Sequence, residues 1–115
     1  MIRKSGQYPN MRYECMLQGK LYTDVEKLLE PEEAYGEGSL FAKAIIPPGG
    51  SIGNHQHTGE FEIYYILKGS AKVWENGEEH IMTMGDTMLL KDGDTHGIEN
   101  VGTDNLEFIA IVINR

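Results

Sequence analysis

From Leu40 onward, short apolar runs and polar corners succeed one another along the chain. Leu40 to Ile46 is apolar and stops at Pro47-Pro48-Gly49-Gly50, a strong breaker of regular structure. Phe61 to Leu67 is rich in β-branched and aromatic residues, which suit a pleated, half-buried strand. Lys68-Gly69 turns the chain into Ser70 to Glu75, and Asn76-Gly77 is a type I′ hairpin signal, since both positions tolerate positive φ. Glu79 to Thr83, Thr87 to Leu90, His96 to Val101 and Leu106 to Ile113 follow, with Gly-containing turns between them. Strands of this length with such corners predict an all-β fold, an antiparallel sandwich or barrel. No helical pattern sits between the strands, which argues against a parallel α/β sheet.

The first third of the chain is less regular. Gly6 and Pro9 mark residues 1–12 as a flexible arm. Tyr13, Cys15 and Leu17 alternate with Glu14, Met16 and Gln18, which predicts a short strand ending at Gly19. Leu21, Val25, Leu28 and Leu29 also fit helical spacing, but the Gly19-Lys20 turn and the lack of a helix cap favour a strand from Tyr22 to Leu28. Glu30 to Ser39 reads as a loop in which Pro31 to Ala34 can form one helical turn. The organisation expected is an arm of short strands and loop over residues 1–39, packed on a barrel over residues 40–115.

A chain of 115 residues supports one hydrophobic core. Eighteen acidic against ten basic residues give a net charge of −8, which opposes binding to nucleic acid or an anionic membrane surface. No run approaches the roughly 20 apolar residues of a membrane span, and MIRKSGQYPN lacks the apolar core of a signal peptide. Cys15 is alone, so no intrachain disulfide forms; a reducing, cytoplasmic location is expected, with Cys15 as a small, partly buried hydrophobe.

The chemistry concentrates between Gly49 and Gly69. Side chains two apart on a strand share a face and stand about 7 Å from each other. His55 and His57 therefore converge while Gln56 points away, and a turn at Thr58-Gly59 can fold Glu62 back beside them. A third histidine, His96, follows another Gly-containing turn. Imidazoles plus one carboxylate make a ligand set for divalent Fe, Mn, Ni, Cu or Zn. A lone His-x-His pair is weak evidence, because surface pairs occur by chance. The fourth histidine, His80, lies among glutamates beyond Asn76-Gly77 and reads as solvent-exposed.

These two segments resemble the two motifs of the cupin superfamily. Gly49, His55, His57, Glu62 and Gly69 match every position of the first, G-x5-H-x-H-x(3,4)-E-x6-G. Gly85, Gly93, His96 and Asn100 match the second, G-x5-P-x-G-x2-H-x3-N, with Lys91 in place of the proline. The resemblance, to a small single-domain cupin, covers about residues 40–113. It implies a double-stranded β-helix, or jelly roll, with one divalent transition metal held by His55, His57, Glu62 and His96. It implies much less about activity.

Alternation from Glu62 places Tyr64 and Ile66 inside, and Glu107 on the outer face places Leu106, Phe108, Ala110 and Val112 inside. Tyr64 and Glu60 are the candidates for a proton donor or acceptor beside the metal. Four protein ligands leave two positions on a six-coordinate ion, suited to a small carboxylate, enol or hydroxy-keto ligand in an apolar cavity. A metal-dependent enzyme is the first functional expectation, oxygenase-type before isomerase or decarboxylase. A non-catalytic binding or sensing module is the alternative, and a purely structural ion the third reading. Ile63, Tyr65, Leu67 and Trp74 should point away from the metal, an apolar surface that predicts cover by the N-terminal segment or a second subunit in a homodimer.

Overall fold

The computed structural model describes residues 1–115 as two antiparallel sheets packed face to face. The ten strands are β1 (Asn10–Glu14), β2 (Tyr22–Lys27), β3 (Gly38–Ile46), β4 (Ser51–Gln56), β5 (Glu60–Lys68), β6 (Ser70–Glu75), β7 (Glu78–Thr83), β8 (Thr87–Leu90), β9 (Thr95–Asn100) and β10 (Leu106–Asn114). The larger sheet runs β1-β2-β3-β10-β5-β8 and the smaller β4-β9-β6-β7. This is the jelly-roll arrangement that the strand rhythm predicts.

The strand alternation is realised in the burial. Leu106, Phe108, Ala110 and Val112 of β10 face inward, as do Ile66 and Tyr64 of β5, and they meet Ile52, Val73 and Ile98 of the smaller sheet. Asn76 and Gly77 both take positive φ, 50° and 83°, as a type I′ turn requires. Pro47 to Gly50 carries the chain from one sheet to the other. Asn100, the last motif residue, is buried and staples this corner: its amide donates to Ile46 O (2.8 Å) and Asp104 O (2.9 Å), and its oxygen accepts from Gly102 N.

The N-terminal third departs from its expectations in three ways. The arm assigned to residues 1–12 enters a strand at Asn10 and pairs with β2, Asn10 opposite Glu26. The strand expected over Tyr13–Leu17 stops at Glu14 and gives way to a 3-10 turn over Met16–Gln18. Cys15, Leu17, Gln18 and Leu21 all adopt left-handed φ, between 47° and 68°, which ends the alternation that the sequence shows. Cys15 is consequently exposed rather than partly buried. The Tyr22–Leu28 strand and the helical turn at Pro31–Ala34 form as expected, the latter with a capping box between Glu30 and Glu33.

The 3-10 turn lies directly on β4. Lys20 N donates to Ser51 Oγ (2.9 Å), and Ser51 N to Lys20 O (3.0 Å). Only glycine fits where the backbones meet: a Cβ on Gly53 would stand 1.9 Å from Leu17 O, and one on Gly19 2.1 Å from Ser51 O.

Candidate metal centre

Each of the four histidine and glutamate residues is set by a different local device. His96 sits on β9, the strand between β4 and β6, opposite His55 on one side and Glu75 on the other, and is fully buried. His55 reaches the same interior through a bulge. Ile52 pairs with Ile98 and His55 with His96, so β4 spends three residue steps where β9 spends two. Gly53 and Asn54 absorb the extra residue opposite Gly97, whose missing side chain leaves room for Asn54. His57 lies just past β4, its backbone held by Asp94 O (3.2 Å) and Gly93 N (2.8 Å). Lys91, at the motif's proline position, donates its amide to Asp94 Oδ2 (3.0 Å), a bond that a proline could not make. Glu62 follows from β5 after the turn at Gly59.

These side chains converge. The Nε2 atoms of His55, His57 and His96 stand 3.0, 3.0 and 3.2 Å apart. Glu62 Oε1 is 2.9 Å from His96 Nε2 and 3.1 Å from His57 Nε2. All four ligand atoms fall within 4.8 Å, which leaves His55 and Glu62 as the widest pair. Neighbouring ligands of an octahedral ion at about 2.1 Å stand about 3.0 Å apart, and opposite ones about 4.2 Å. The five shorter separations have the spacing of neighbouring ligands, and the His55–Glu62 pair, within 4.8 Å, is the one that stands as an opposite pair and is wider than such an ion needs. Glu62 Oε1 is also a buried oxygen with no protein hydrogen bond, and a cation satisfies it. The cluster can hold one divalent metal ion.

The outer nitrogens show how the rings are oriented. Nδ1 of His55 donates to Gly53 O (2.7 Å) and Nδ1 of His57 to Glu60 Oε1 (2.6 Å), which turns both Nε2 lone pairs toward the centre. Glu60 therefore acts on His57 from outside the cluster. Replacing Glu60 with glutamine should weaken metal affinity about tenfold while leaving the fold intact, read by competition with a fluorescent chelator. Burial, the largest cause, holds the His55 imidazole below its usual pKa and so favours the neutral, ligating form.

Tyr64 is buried, with its ring stacked on His96 at 5.0 Å between centroids and tilted on Phe108 at 4.6 Å. Burial, and after it the charge of Glu62, push its phenol well above the usual range. It stays protonated, so it can donate a proton or hydrogen bond and is no base at neutral pH. His80 is exposed and lies 3.5 Å from Glu78.

A cavity of about 220 Å3 opens beside the cluster, with His55, His57, Glu62 and Tyr64 in its wall. A shallower groove of about 570 Å3, along Glu75, His80 and Thr87, contains none of the four residues. Sequence reasoning missed part of the cavity wall: Met16, Leu17 and Thr23 from the N-terminal third line it too. No motif marks them, because they arrive through long-range packing of the 3-10 turn and β2.

The fold and the cluster together define a single small double-stranded β-helix domain with a His3Glu site. The chain belongs to the cupin family: the model of the cupin domain matches residues 42–112. It is 39% identical over 113 residues to an oxalate-binding protein of Thermotoga maritima, a match covering 98% of this chain and 93% of that one. An uncharacterized protein of Methanocaldococcus jannaschii is 33% identical over 75% of this chain and 69% of its own. Among solved structures, a predicted oxalate decarboxylase of Thermotoga maritima superposes with a TM-score of 0.96 at 38% identity, covering all of both chains.

Proposed function

We propose that this protein binds a small carboxylate of the oxalate class through a metal ion held by His55, His57, Glu62 and His96. The observation that carries the reading is the convergence of three imidazoles and one carboxylate at the wall of an apolar cavity. The similarity to an oxalate-binding protein over nearly the whole chain supports it. A bound divalent ion would supply a Lewis acid able to accept both oxygens of a chelating carboxylate. Three neutral imidazoles and one carboxylate leave that ion a net charge near +1, which suits an anion. Tyr64, held protonated, offers a hydrogen bond to the bound anion. Titration calorimetry of the manganese(II)-loaded protein with oxalate is expected to show one site per chain. No heat from oxalate with the metal in place would overturn the assignment.

Turnover is the second reading, and Tyr64 is what favours it. Decarboxylation of oxalate breaks the carbon–carbon bond and releases carbon dioxide; the remaining carbon takes a proton to give formate. A buried, protonated phenol at the cavity wall supports this reading, because such a group can supply that proton. Formate measured by NMR, and its loss in Tyr64→Phe with oxalate binding retained, would establish this reading over simple binding. Oxygen uptake by the same sample tests the oxygenase class.

The outer face of the larger sheet supports a homodimer. Ile63 of β5 lies between Ile111 and Leu89 on its neighbours, and Tyr65 beside Ile109. Tyr65, Leu67 and Leu89 are between 37% and 50% exposed in a single chain, more contiguous apolar surface than water favours. Light scattering is expected to give twice 12.9 kDa, and Ile63→Asp to give the monomer. A wild-type monomer at micromolar concentration would refute the dimer. A cytosolic setting fits the one exposed, unpaired thiol, Cys15. No helix is long and apolar enough to cross a membrane.

A further inference from the structure

Glu60 orients His57, and its own position is set from outside the cluster. It follows Gly59, which adopts a positive φ of 77° and has open space where a Cβ would stand. A glycine in open space has more backbone freedom than any other residue, so this turn holds one conformation only if it is tethered. Two tethers are present. Gly59 N donates to Asp92 Oδ1 (2.7 Å), and Gly59 O accepts from Arg115 N (3.0 Å). The tethers are themselves joined, since Arg115 Nη1 donates to Asp92 Oδ2 (3.1 Å).

Asp92 can act as an anchor because its own loop is fixed. The turn between β8 and β9 is closed by the bond from Lys91 N to Asp94 Oδ2. Three further bonds fasten it to the segment that carries His57: His57 N to Asp94 O, Gly93 N to His57 O, and Gln56 Nε2 to Gly93 O (2.8 Å). Those bonds hold the backbone of His57 and stop there. Asp92 extends the contact to Gly59, on the other side of Thr58. From Glu60 onward β5 is held by its ladder with β10, where Glu60 stands opposite Asn114. The direction of the Glu60 carboxylate therefore depends on the peptide that enters the strand, and that peptide belongs to Gly59.

Resting on the metal reading above, we propose that Asp92 is a positioning residue for the metal centre: by accepting the Gly59 N–H it fixes the turn that presents Glu60 to His57 Nδ1. Glu60 Oε1, 2.6 Å from that nitrogen, then keeps the ring proton on Nδ1 and leaves Nε2 free to face the other three side chains. Asp92 touches none of the four clustered residues. Its ion pair with Arg115 is a surface contact, with the arginine 69% exposed, and such pairs contribute little. The bond to Gly59 is the part that acts.

Two measurements test this, one of them without metal. Nitrogen-15 NMR of the metal-free protein at about pH 8, where imidazoles are neutral, reads the tautomer of His57. The wild type and Asp92→Asn, which keeps an acceptor oxygen for Gly59 N, should show the Nδ1–H form. Asp92→Ala should show a mixture of the two neutral forms. Manganese(II) affinity, read by competition with a fluorescent chelator, should fall about fivefold in Asp92→Ala, the worth of one hydrogen bond to a charged group, and less than about twofold in Asp92→Asn. In a Glu60→Ala background the route to His57 is gone, so adding Asp92→Ala should cost less than about twofold. A pure Nδ1–H form in Asp92→Ala, the same fivefold loss with Glu60 absent, or Asp92→Asn as weak as Asp92→Ala would each overturn the inference while the metal reading stands. Wild-type protein that bound no manganese(II) would overturn the metal reading, and the tautomer measurement would still decide whether Asp92 positions His57.

Discussion

His96→Ala is expected to abolish divalent-metal binding and, with it, most of the stability that metal adds. The outer-shell change at Glu60 costs about tenfold; loss of a ligand contacting two imidazoles and Glu62 should exceed ~100-fold. At metal concentrations 100 times the dissociation constant, binding stabilises the wild type by about 2.7 kcal/mol. That is about 10 °C in melting temperature for a domain of this size. Calorimetric scans with manganese(II) and with a chelator should therefore differ by that amount in the wild type and coincide in His96→Ala. A retained metal-dependent shift in the variant would remove His96 from the ligand set. The metal effect also has a pH sign. Ligation needs neutral imidazoles, so protons compete and metal is lost as pH falls. In the metal-free protein, His55 is depressed on folding from its ordinary value of 6.5. Its contribution to stability is fully present above 6.5 and is lost as pH falls through the lower, folded value. Acid therefore weakens the metal-free protein below pH 6.5, through His55.

Gly53→Ala should be the most disruptive small substitution in the chain. A Cβ at Gly53 would sit 1.9 Å from Leu17 O and 3.2 Å from Gln18 C, both backbone atoms that cannot rotate aside. The 3-10 turn must lift, and the left-handed residues Leu17 and Gln18 have little slack to follow. Overpacking of this kind costs about 3 kcal/mol, or about 10 °C. Met16 and Leu17 would leave the cavity wall, so ligand affinity should fall as well. Hydrogen exchange should quicken over residues 14–22 and at Ser51, whose amide is bonded to Lys20. Unchanged exchange there, with an unchanged melting temperature, would mean that the turn is not clamped as described.

Much of the architecture was legible from residue 40 onward, because alternation holds there apart from a few bulges such as that in β4, and Gly, Pro and Asn stand at nearly every corner. β10 is the clearest case: Glu107 on one face and Phe108 on the other assign every residue from Leu106 to Val112. The stretch from Cys15 to Leu21 was not legible. Its left-handed positions are occupied by cysteine, leucine and glutamine, none of which signals such a conformation, and they are held there by contact with β4. The four clustered side chains could be named because two separate motifs specify them. Glu60 could be named but not oriented, since the turn at Gly59 decides whether its carboxylate meets the ion or His57. Thr23 carries no local mark; it joins the cavity wall only through the long-range packing of β2.

The extra residue in β4 bears on how this site can be lost. Ile52 and His55 both face inward although they are three positions apart, and only the bulge at Gly53-Asn54 reconciles them. Deletion of Asn54 alone would restore plain alternation and keep both histidines inside, because His55 would then stand two places from Ile52. Flattening the bulge with the strand's length kept would do the opposite: Ile52 would stay inside while His55 and His57 swung to solvent. The scaffold is thus tied to its chemistry by the bulge itself and not by the number of residues in the strand.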